Sequence, residues 1–374
     1  MKIIYLANIR FPTERAHGVQ IMEMCRAFAA SGVDVELVVP RRKNWIKENP
    51  FTYYDLPKTF SITYLHTWDL VQWGKIGFLT QMFSFALSSF WYVRNTDTLI
   101  YSRDEMVLFP LSFFGKRFVY EIHTPRWQTI TKHVVSQALF VVPISQGLKS
   151  FYRKKGIPEE DMLVAPDGVN LERFTVFLTQ KECREKLSLP LHARIALYAG
   201  HLYARKGAHV FAQASRDIED VLCVFVGGTV EDIAAFQKDS SRQKNVLILG
   251  HKSHQDVPFY LRAADMLILP NSAKDGDANL YTSPMKLFEY MASGTPILAS
   301  DVPSLKEILN DENALFVKPD DPQALSAGIR KAFLDPALMH RAKQAKKDVE
   351  QYTWQVRAEA VLRRISQNIT REHS

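Results

Sequence analysis

Hydrophobic residues in this chain come in short blocks rather than singly. Apolar runs of four to seven residues, rich in Val, Ile and Leu, recur at 2–7, 33–39, 98–101, 117–122 and 140–145. They recur again at 193–198, 221–226, 245–249, 266–269, 295–299 and 314–317. Runs that stay apolar through both parities predict strands buried on both faces, as in parallel sheets. Between them lie stretches with helical spacing, at 19–30, 146–155, 257–263, 285–293, 305–309, 324–334 and 358–369. Strand, loop, helix and strand in succession is the unit of a parallel α/β fold. At 374 residues the chain is too long for one ordinary core and suits two domains. The polar, helix-prone stretch 175–190 follows the first set of runs and reads as a linker plus first helix. The domains are therefore predicted over 1–174 and 175–355, with 356–374 left over at the end.

Composition narrows the class. Hydrophobic residues are 47% and charged residues 23%, which excludes a disordered or fibrous chain. A formal net charge of +7 suits anionic substrates or an anionic membrane surface. Nucleic acid is disfavoured as a partner, because no RNP, zinc-finger or helix-turn-helix pattern accompanies the charge. Cys25, Cys183 and Cys223 form no CxxC pair and no metal spacing, so buried, reduced thiols and a cytoplasmic protein are expected. The N-terminus enters a strand at once and shows no cleavage site, so no signal peptide is expected.

One apolar run breaks the pattern. Residues 78–93 hold four phenylalanines, Trp91 and Tyr92, interrupted by Gln81, Ser84, Ser88 and Ser89. The run is predicted to be too short and too interrupted to span a bilayer. Two readings stand: a core helix of the first domain, or an interfacial helix resting on a membrane. The core helix is the preferred reading; Lys75, Arg94 and the cationic segment 41–47, which carries Trp45, lend support to the second.

The densest chemical signal lies at 281–301. Thr282 and Ser283 are candidate N-caps, and Pro284 suits a first helical turn. Met285, Phe288 and Met291 keep helical spacing; Gly294 closes the helix and Pro296 keeps it from resuming. The free N–H groups of such a helix start form a ready anion site. Glu289, about one turn further in, could accept bonds from sugar hydroxyls, or be an ordinary surface glutamate. Upstream, the loop 199–208 carries Gly200, His201, Arg205, Lys206 and Gly207. Cations beside a helix start suit a diphosphate. Gly18 ahead of the first helix reads as a close-approach or plain turn glycine, and no GxGxxG accompanies it. His123 stands at the carboxyl end of a strand, where open parallel sheets gather ligands.

The 281–296 stretch resembles the signature of the retaining family-4 glycosyltransferases, Glu, seven residues, Glu, then Ala/Tyr-Met-Ala-x-Gly-x-Pro. Glu289 matches the second glutamate and 291–296 follow the pattern, whereas Tyr281 stands where the first glutamate belongs. The resemblance implies a GT-B fold: two Rossmann-like parallel-sheet domains facing a deep cleft, with the last helix crossing back to the first domain. It implies a nucleotide sugar held by the second domain, and a glycosyl group passed with retention to a hydroxyl of a saccharide or lipid-linked acceptor. Envelope, capsular or exopolysaccharide assembly is the process that family habit suggests, at the inner face of the membrane. By the same resemblance Gly18 faces the donor diphosphate, and Glu121-x-His123 orients the transferred sugar. Lys206 and Arg205 clamp the diphosphate, and His201 replaces a common arginine. His251 and Lys252 lie where the base is cradled, and Tyr281, Thr282, Ser283, Pro284 and Leu287 line the donor beside Glu289, which holds the ribose. His123, Lys206 and Glu289 are the expected catalytic set. Asp275-Gly276-Asp277 mimics a metal motif but is expected to bind none, and no cofactor is expected. Asp167-Gly168 through Arg173-Phe174 resembles the interdomain junction, and a structural corner is the preferred reading of it. Two other classes stay open: a nucleotide-sugar-binding protein of the same fold without turnover, which the missing glutamate favours, and an epimerase or phosphorylase.

Overall fold

The computed structural model describes residues 1–203, 206–240 and 243–372. The chain divides into two compact units, Met1–Pro166 with Trp354–Ser374, and Asp167–Thr353. The first boundary falls at Pro166 rather than at 174. The Val169 N–H bonds to the Tyr352 carbonyl at 3.0 Å, and Phe174 is buried in the second unit's core. These contacts bind the 167–174 turn to the second unit.

The first unit is a six-stranded parallel sheet: β1 (Lys2–Leu6), β2 (Asp34–Pro40), β3 (Ser61–Leu65), β4 (Leu99–Ser102), β5 (Phe118–Ile122) and β6 (Phe140–Pro143). Its order is β3-β2-β1-β4-β5-β6. The direction of winding reverses between β1 and β4, which makes the carboxyl ends of those strands the natural ligand crevice of this unit. The first helix, Ala16–Ala30, leaves β1 at that point. The C-terminal helix Trp354–Glu372 packs on it, burying Ala358, Val361 and Ile365, and Gln355 donates to the Ser31 hydroxyl at 3.0 Å.

The apolar run settles into a helix, Gly74–Val93, that is inverted relative to an ordinary core helix. Its buried stripe is Gly77, Gln81, Phe85, Ser89 and Val93, one residue every four and mostly small or polar. Its exposed stripe is Ile76, Leu79, Phe83, Leu87 and Trp91. Small residues face inward because the contact is close: a Cβ on Gly77 would sit 1.7 Å from the Leu70 carbonyl oxygen. Gln81 faces inward because it donates to Asn8 Oδ1 at 2.9 Å. Together with the turn Val71–Trp73 the segment is long and apolar enough to cross a membrane by length and composition, longer than the sequence pattern suggested. Its inward stripe nevertheless makes it part of the first unit.

The second unit repeats the plan: β7 (Arg194–Ala199), β8 (Val221–Val226), β9 (Val246–Gly250), β10 (Met266–Leu269), β11 (Ile297–Ser300) and β12 (Leu315–Val317), all parallel, in the order β12-β11-β10-β7-β8-β9. Alternate residues of β7 feed two cores. Ile195, Leu197 and Ala199 join one, Ala196 and Tyr198 the other, so helices cover both faces. All three cysteines are buried and free.

Candidate active site

In the second unit three neighbouring strands, β7, β8 and β9, each end on a glycine of positive φ: Gly200 at 140°, Gly227 at 114° and Gly250 at 68°. The turns interlock, Gly200 N–H to Val226 O at 2.8 Å and Gly227 N–H to Gly250 O at 2.7 Å. A Cβ on Gly227 would lie 2.5 Å from the Gly200 carbonyl oxygen, so no side chain fits between these loops. Gly207, φ 75°, starts the helix Ala208–Ala214, and a Cβ there would come within 1.5 Å of the Pro270 carbonyl oxygen. The loop carrying Lys206 is thereby pressed against the carboxyl end of β10, from which the 281–301 stretch departs. Arg205 lies outside the described residues.

The helix of that stretch runs Met285–Ser293 and ends, as its sequence requires, on Gly294 with φ 67°. Its start differs from expectation. Pro284 is the N-cap and no side chain caps the first turn. The Ser283 hydroxyl instead accepts the Asp167 N–H at 3.0 Å, so it fastens the 167 turn rather than the helix. The first turn therefore keeps N–H groups aimed out of the loop, the arrangement that favours an anion. The Tyr290 hydroxyl accepts the Ala199 N–H at 2.7 Å and ties this helix to the end of β7. Leu287 is fully buried in the core, and its N–H is spent on the Pro284 carbonyl at 2.9 Å. Tyr281 is half-buried, its N–H bonded to Asp277 O at the end of the Gly276–Leu280 helix.

Charge in this corner is unevenly compensated. Burial pushes the Glu289 carboxyl up to about 7, against the opposing pull of Arg173 and Lys286. Burial, reinforced by the Lys206 charge, pushes the Lys286 ammonium well below its ordinary range. That ammonium lies 4.2 Å from the centroid of the Tyr198 ring. His201 stacks on Tyr203, its Nδ1 is 3.6 Å from Asp232, and its carbonyl accepts the Tyr198 hydroxyl at 2.6 Å. After β9, His251 is exposed and the Lys252 ammonium sits 5.8 Å from the Tyr260 ring centroid. Among the described residues no group of three His, Cys, Asp or Glu side chains gathers for a metal ion.

In the first unit Glu121 lies near the end of β5 and His123 directly follows that strand. His123 Nε2 is 2.5 Å from Glu121 Oε1, which also accepts from Gln20 at 2.5 Å; Gln20 in turn accepts from Arg103 at 2.8 Å. The other carboxylate oxygen accepts from the Tyr101 hydroxyl and, at 3.0 Å, from Arg357 of the C-terminal helix. Burial alone would raise the Glu121 pKa, but Arg357, then His123 and Arg103, hold it well below the usual value. Burial and the Arg103 charge lower His123 to about 4, against Glu121. At neutral pH the pair is therefore a carboxylate and a neutral imidazole. The carboxylate fixes the proton on Nε2 and leaves the Nδ1 lone pair as an acceptor. Sequence reasoning found Glu121 and His123 but not Gln20, Tyr101, Arg103 or Arg357, which come from the first helix, β4, the loop after β4 and the C-terminal helix. Lys286 was missed too, although its place in the first turn of the 285–293 helix was visible.

Gly18 is corrected. It lies inside the first turn of the Ala16–Ala30 helix, not ahead of it. A Cβ there would meet the Tyr54 hydroxyl at 2.2 Å. That hydroxyl bonds both the N–H and the carbonyl of Thr13 at 2.8 Å, so packing by itself requires a glycine.

The two sheets and their order define the GT-B fold. Sucrose-phosphate synthase from Thermosynechococcus elongatus has it too, with 18% identity, 99% of each chain covered and a TM-score of 0.79. So does HepE of Anabaena, solved in complex with UDP and glucose, with 17% identity, coverage of 98% and 99%, and a TM-score of 0.76. Residues 179–349, within the second unit, match the family described as Glycosyl transferases group 1. TuaC of Bacillus subtilis, assigned to teichuronic acid biosynthesis as a glycosyltransferase, is 30% identical over 200 residues, 53% of this chain and 48% of TuaC. The chain spans about half the length of the curated relatives it matches.

Proposed function

We propose that this protein is a retaining, metal-independent glycosyltransferase that moves a sugar from a UDP- or GDP-sugar to a hydroxyl of a saccharide or lipid-linked acceptor. Envelope, capsular or exopolysaccharide assembly is the process it serves. One observation carries the reading: in a unit that matches the group 1 family, an uncapped helix start at Met285 and the cations Lys206 and Lys286 occupy one corner. The UDP held by HepE supports the choice of ligand. Negative charge grows on the departing diphosphate as the glycosyl bond breaks, and donors aimed there lower the barrier. Lys206 and the first-turn N–H groups serve that role, Glu289 takes the ribose hydroxyls, and the Nδ1 of His123 accepts from a sugar hydroxyl. The bond from the anomeric carbon to the phosphate oxygen breaks while the bond to the acceptor oxygen forms on the same face. The acceptor proton passes to the leaving phosphate, and no protein nucleophile is assigned.

The reading extends to a cytoplasmic protein working at the inner face of an anionic membrane. The exposed stripe of the Gly74–Val93 helix is continued by exposed Trp68, Trp73, Phe113 and Phe114. Phe90 and Phe114 are 4.5 Å apart between ring centroids, which joins the two parts. The cationic segment is held beside it: Arg42 pairs with Asp69 at 3.1 Å, and the Trp68 N–H bonds Ser84 of the helix at 3.0 Å. An apolar stripe rimmed by Trp and Arg/Lys fits an interfacial helix.

The test is a panel of nucleotide sugars scored by thermal stabilisation, followed by product analysis with acceptor present. A donor at about 100 times its dissociation constant adds about 2.7 kcal/mol. The product should keep the donor's anomeric configuration, with undiminished rate in chelator. No stabilisation by any nucleotide sugar overturns the proposal. Tyr281 favours a second reading, a binding protein without turnover, and acceptor-dependent release of nucleoside diphosphate eliminates it.

A further inference from the structure

Lys286 is placed strangely for a lysine. It is the second residue of the Met285–Ser293 helix, where the aligned peptide dipoles disfavour a cation. Its ammonium nitrogen is sealed from solvent and has no hydrogen-bond partner among the described residues. What it has is a ring face, Tyr198 at 4.2 Å. That ring is held still by its own hydroxyl, which donates to the His201 carbonyl at 2.6 Å. Lys206 adds a second positive charge nearby, and Glu289, whose carboxyl is shifted toward its neutral form, offers little to offset the two. A buried ammonium with three unused donors costs several kcal/mol, and a methionine would fill the same volume at no such cost. The one charge that would satisfy Lys286 and the uncapped helix start together, beside the positive charge of Lys206, is a doubly charged anion.

We propose that Lys286 is a diphosphate-binding residue, held on the Tyr198 ring in the empty protein and turned onto the donor's diphosphate when it binds. It provides in this chain a third source of anion binding beside Lys206 and the helix start. The assignment rests on the nucleotide-sugar reading above.

The experiment compares the full-length chain with Lys286→Met by thermal unfolding and calorimetric titration, using UDP, GDP and the corresponding monophosphates. Lys286→Met should melt at the same temperature or higher without ligand, because an uncompensated buried cation is gone. Its affinity for the nucleoside diphosphate that binds the parent should fall at least tenfold, with monophosphate affinity changed less than threefold. Lys286→Arg should keep most of the diphosphate affinity. A variant that melts lower yet binds the diphosphate as well as the parent overturns the proposal and makes Lys286 structural. An equal loss for mono- and diphosphate overturns it too. If Lys286→Met fails to fold, Lys286→Gln is read by the same criteria. A parent chain that binds no nucleoside diphosphate sinks the glycosyl-transfer reading itself, whereas a binding parent with an unaffected variant sinks only Lys286.

Discussion

Removing Arg357 should expose how the first unit is held together. Its side chain is 3% exposed, pairs with the fully buried Glu121 at 3.0 Å, and donates through Nε to the Ala165 and Pro166 carbonyls at 3.2 and 2.9 Å. Arg357→Met preserves the packing volume along the helix but leaves a carboxylate inside the protein without its cation. Breaking one side of a buried pair costs about 3–5 kcal/mol, against about 0–1 for a surface pair. The pH dependence separates these cases. In the parent, Glu121 titrates below its unfolded value of 4.5, so its contribution is present above about pH 4.5 and is lost as pH falls through the folded pKa. Without Arg357, burial dominates and the folded pKa rises above 4.5. The native state then binds the extra proton, and stability declines as pH rises. Urea denaturation at pH 7.5 and pH 5 should show a gap of about 3–5 kcal/mol that narrows at the lower pH. Glu121→Gln added to Arg357→Met should recover most of the loss at pH 7.5. A gap below about 1 kcal/mol, or one unchanged with pH, refutes the reasoning.

Other outcomes follow from single groups. Glu289 titrates at about 7 in the folded chain against 4.5 unfolded, so its protonated form favours the native state and stability is lost as pH rises from 4.5 through 7. Glu289→Gln should therefore be more stable than the parent at pH 8, by about 3 kcal/mol, while binding nucleoside worse; calorimetry reads both. Lys206→Met should lower kcat about 10²–10³-fold with the fold intact by circular dichroism. Gly18→Ala should cost about 1–3 kcal/mol through its clash with Tyr54, and Tyr54→Phe should relieve part of it; nucleotide affinity should not move in either. Ile76→Glu with Phe83→Glu should abolish sedimentation with anionic vesicles without lowering the melting temperature, since both side chains are exposed.

The sheets were legible because a doubly covered parallel strand is apolar at every position, and β8 and β10 read that way directly. β3 did not: it is an edge strand, Ser-Ile-Thr-Tyr-Leu, partly exposed along its length, so no continuous apolar run marks it. The Gly74–Val93 helix was legible as a helix but not in its orientation. Apolar residues lie on both of its faces, and the inward one is chosen by the close approach at Gly77 and the bond from Gln81, not by hydrophobicity. Backbone-driven features were the most readable: Gly294 and Gly207 stand where only a left-handed residue fits, and the chain has glycine there. Gly18 shows the limit. Its reason is Tyr54, whose position depends on a separate helix and could not be read from the residues beside the glycine.

Charge partners were the least readable, since they join residues far apart in the chain. Glu121 and Arg357 are separated by 236 positions, and nothing local to either announces the other. Yet the way each unit treats its buried charge distinguishes their roles. The first unit surrounds Glu121 with Gln20, Tyr101, His123 and Arg357, so its carboxylate is satisfied before any ligand arrives. Such a closed network fixes one proton and one lone pair on His123, and it resists change. Among the described residues, the second unit gives Lys286 no hydrogen-bond acceptor and the 285–293 helix no side-chain cap. Donors without acceptors raise the energy of the empty state, and an incoming anion lowers it by satisfying several at once. The closed network is thus scaffold for a single acceptor atom, and the open one is where binding energy is released.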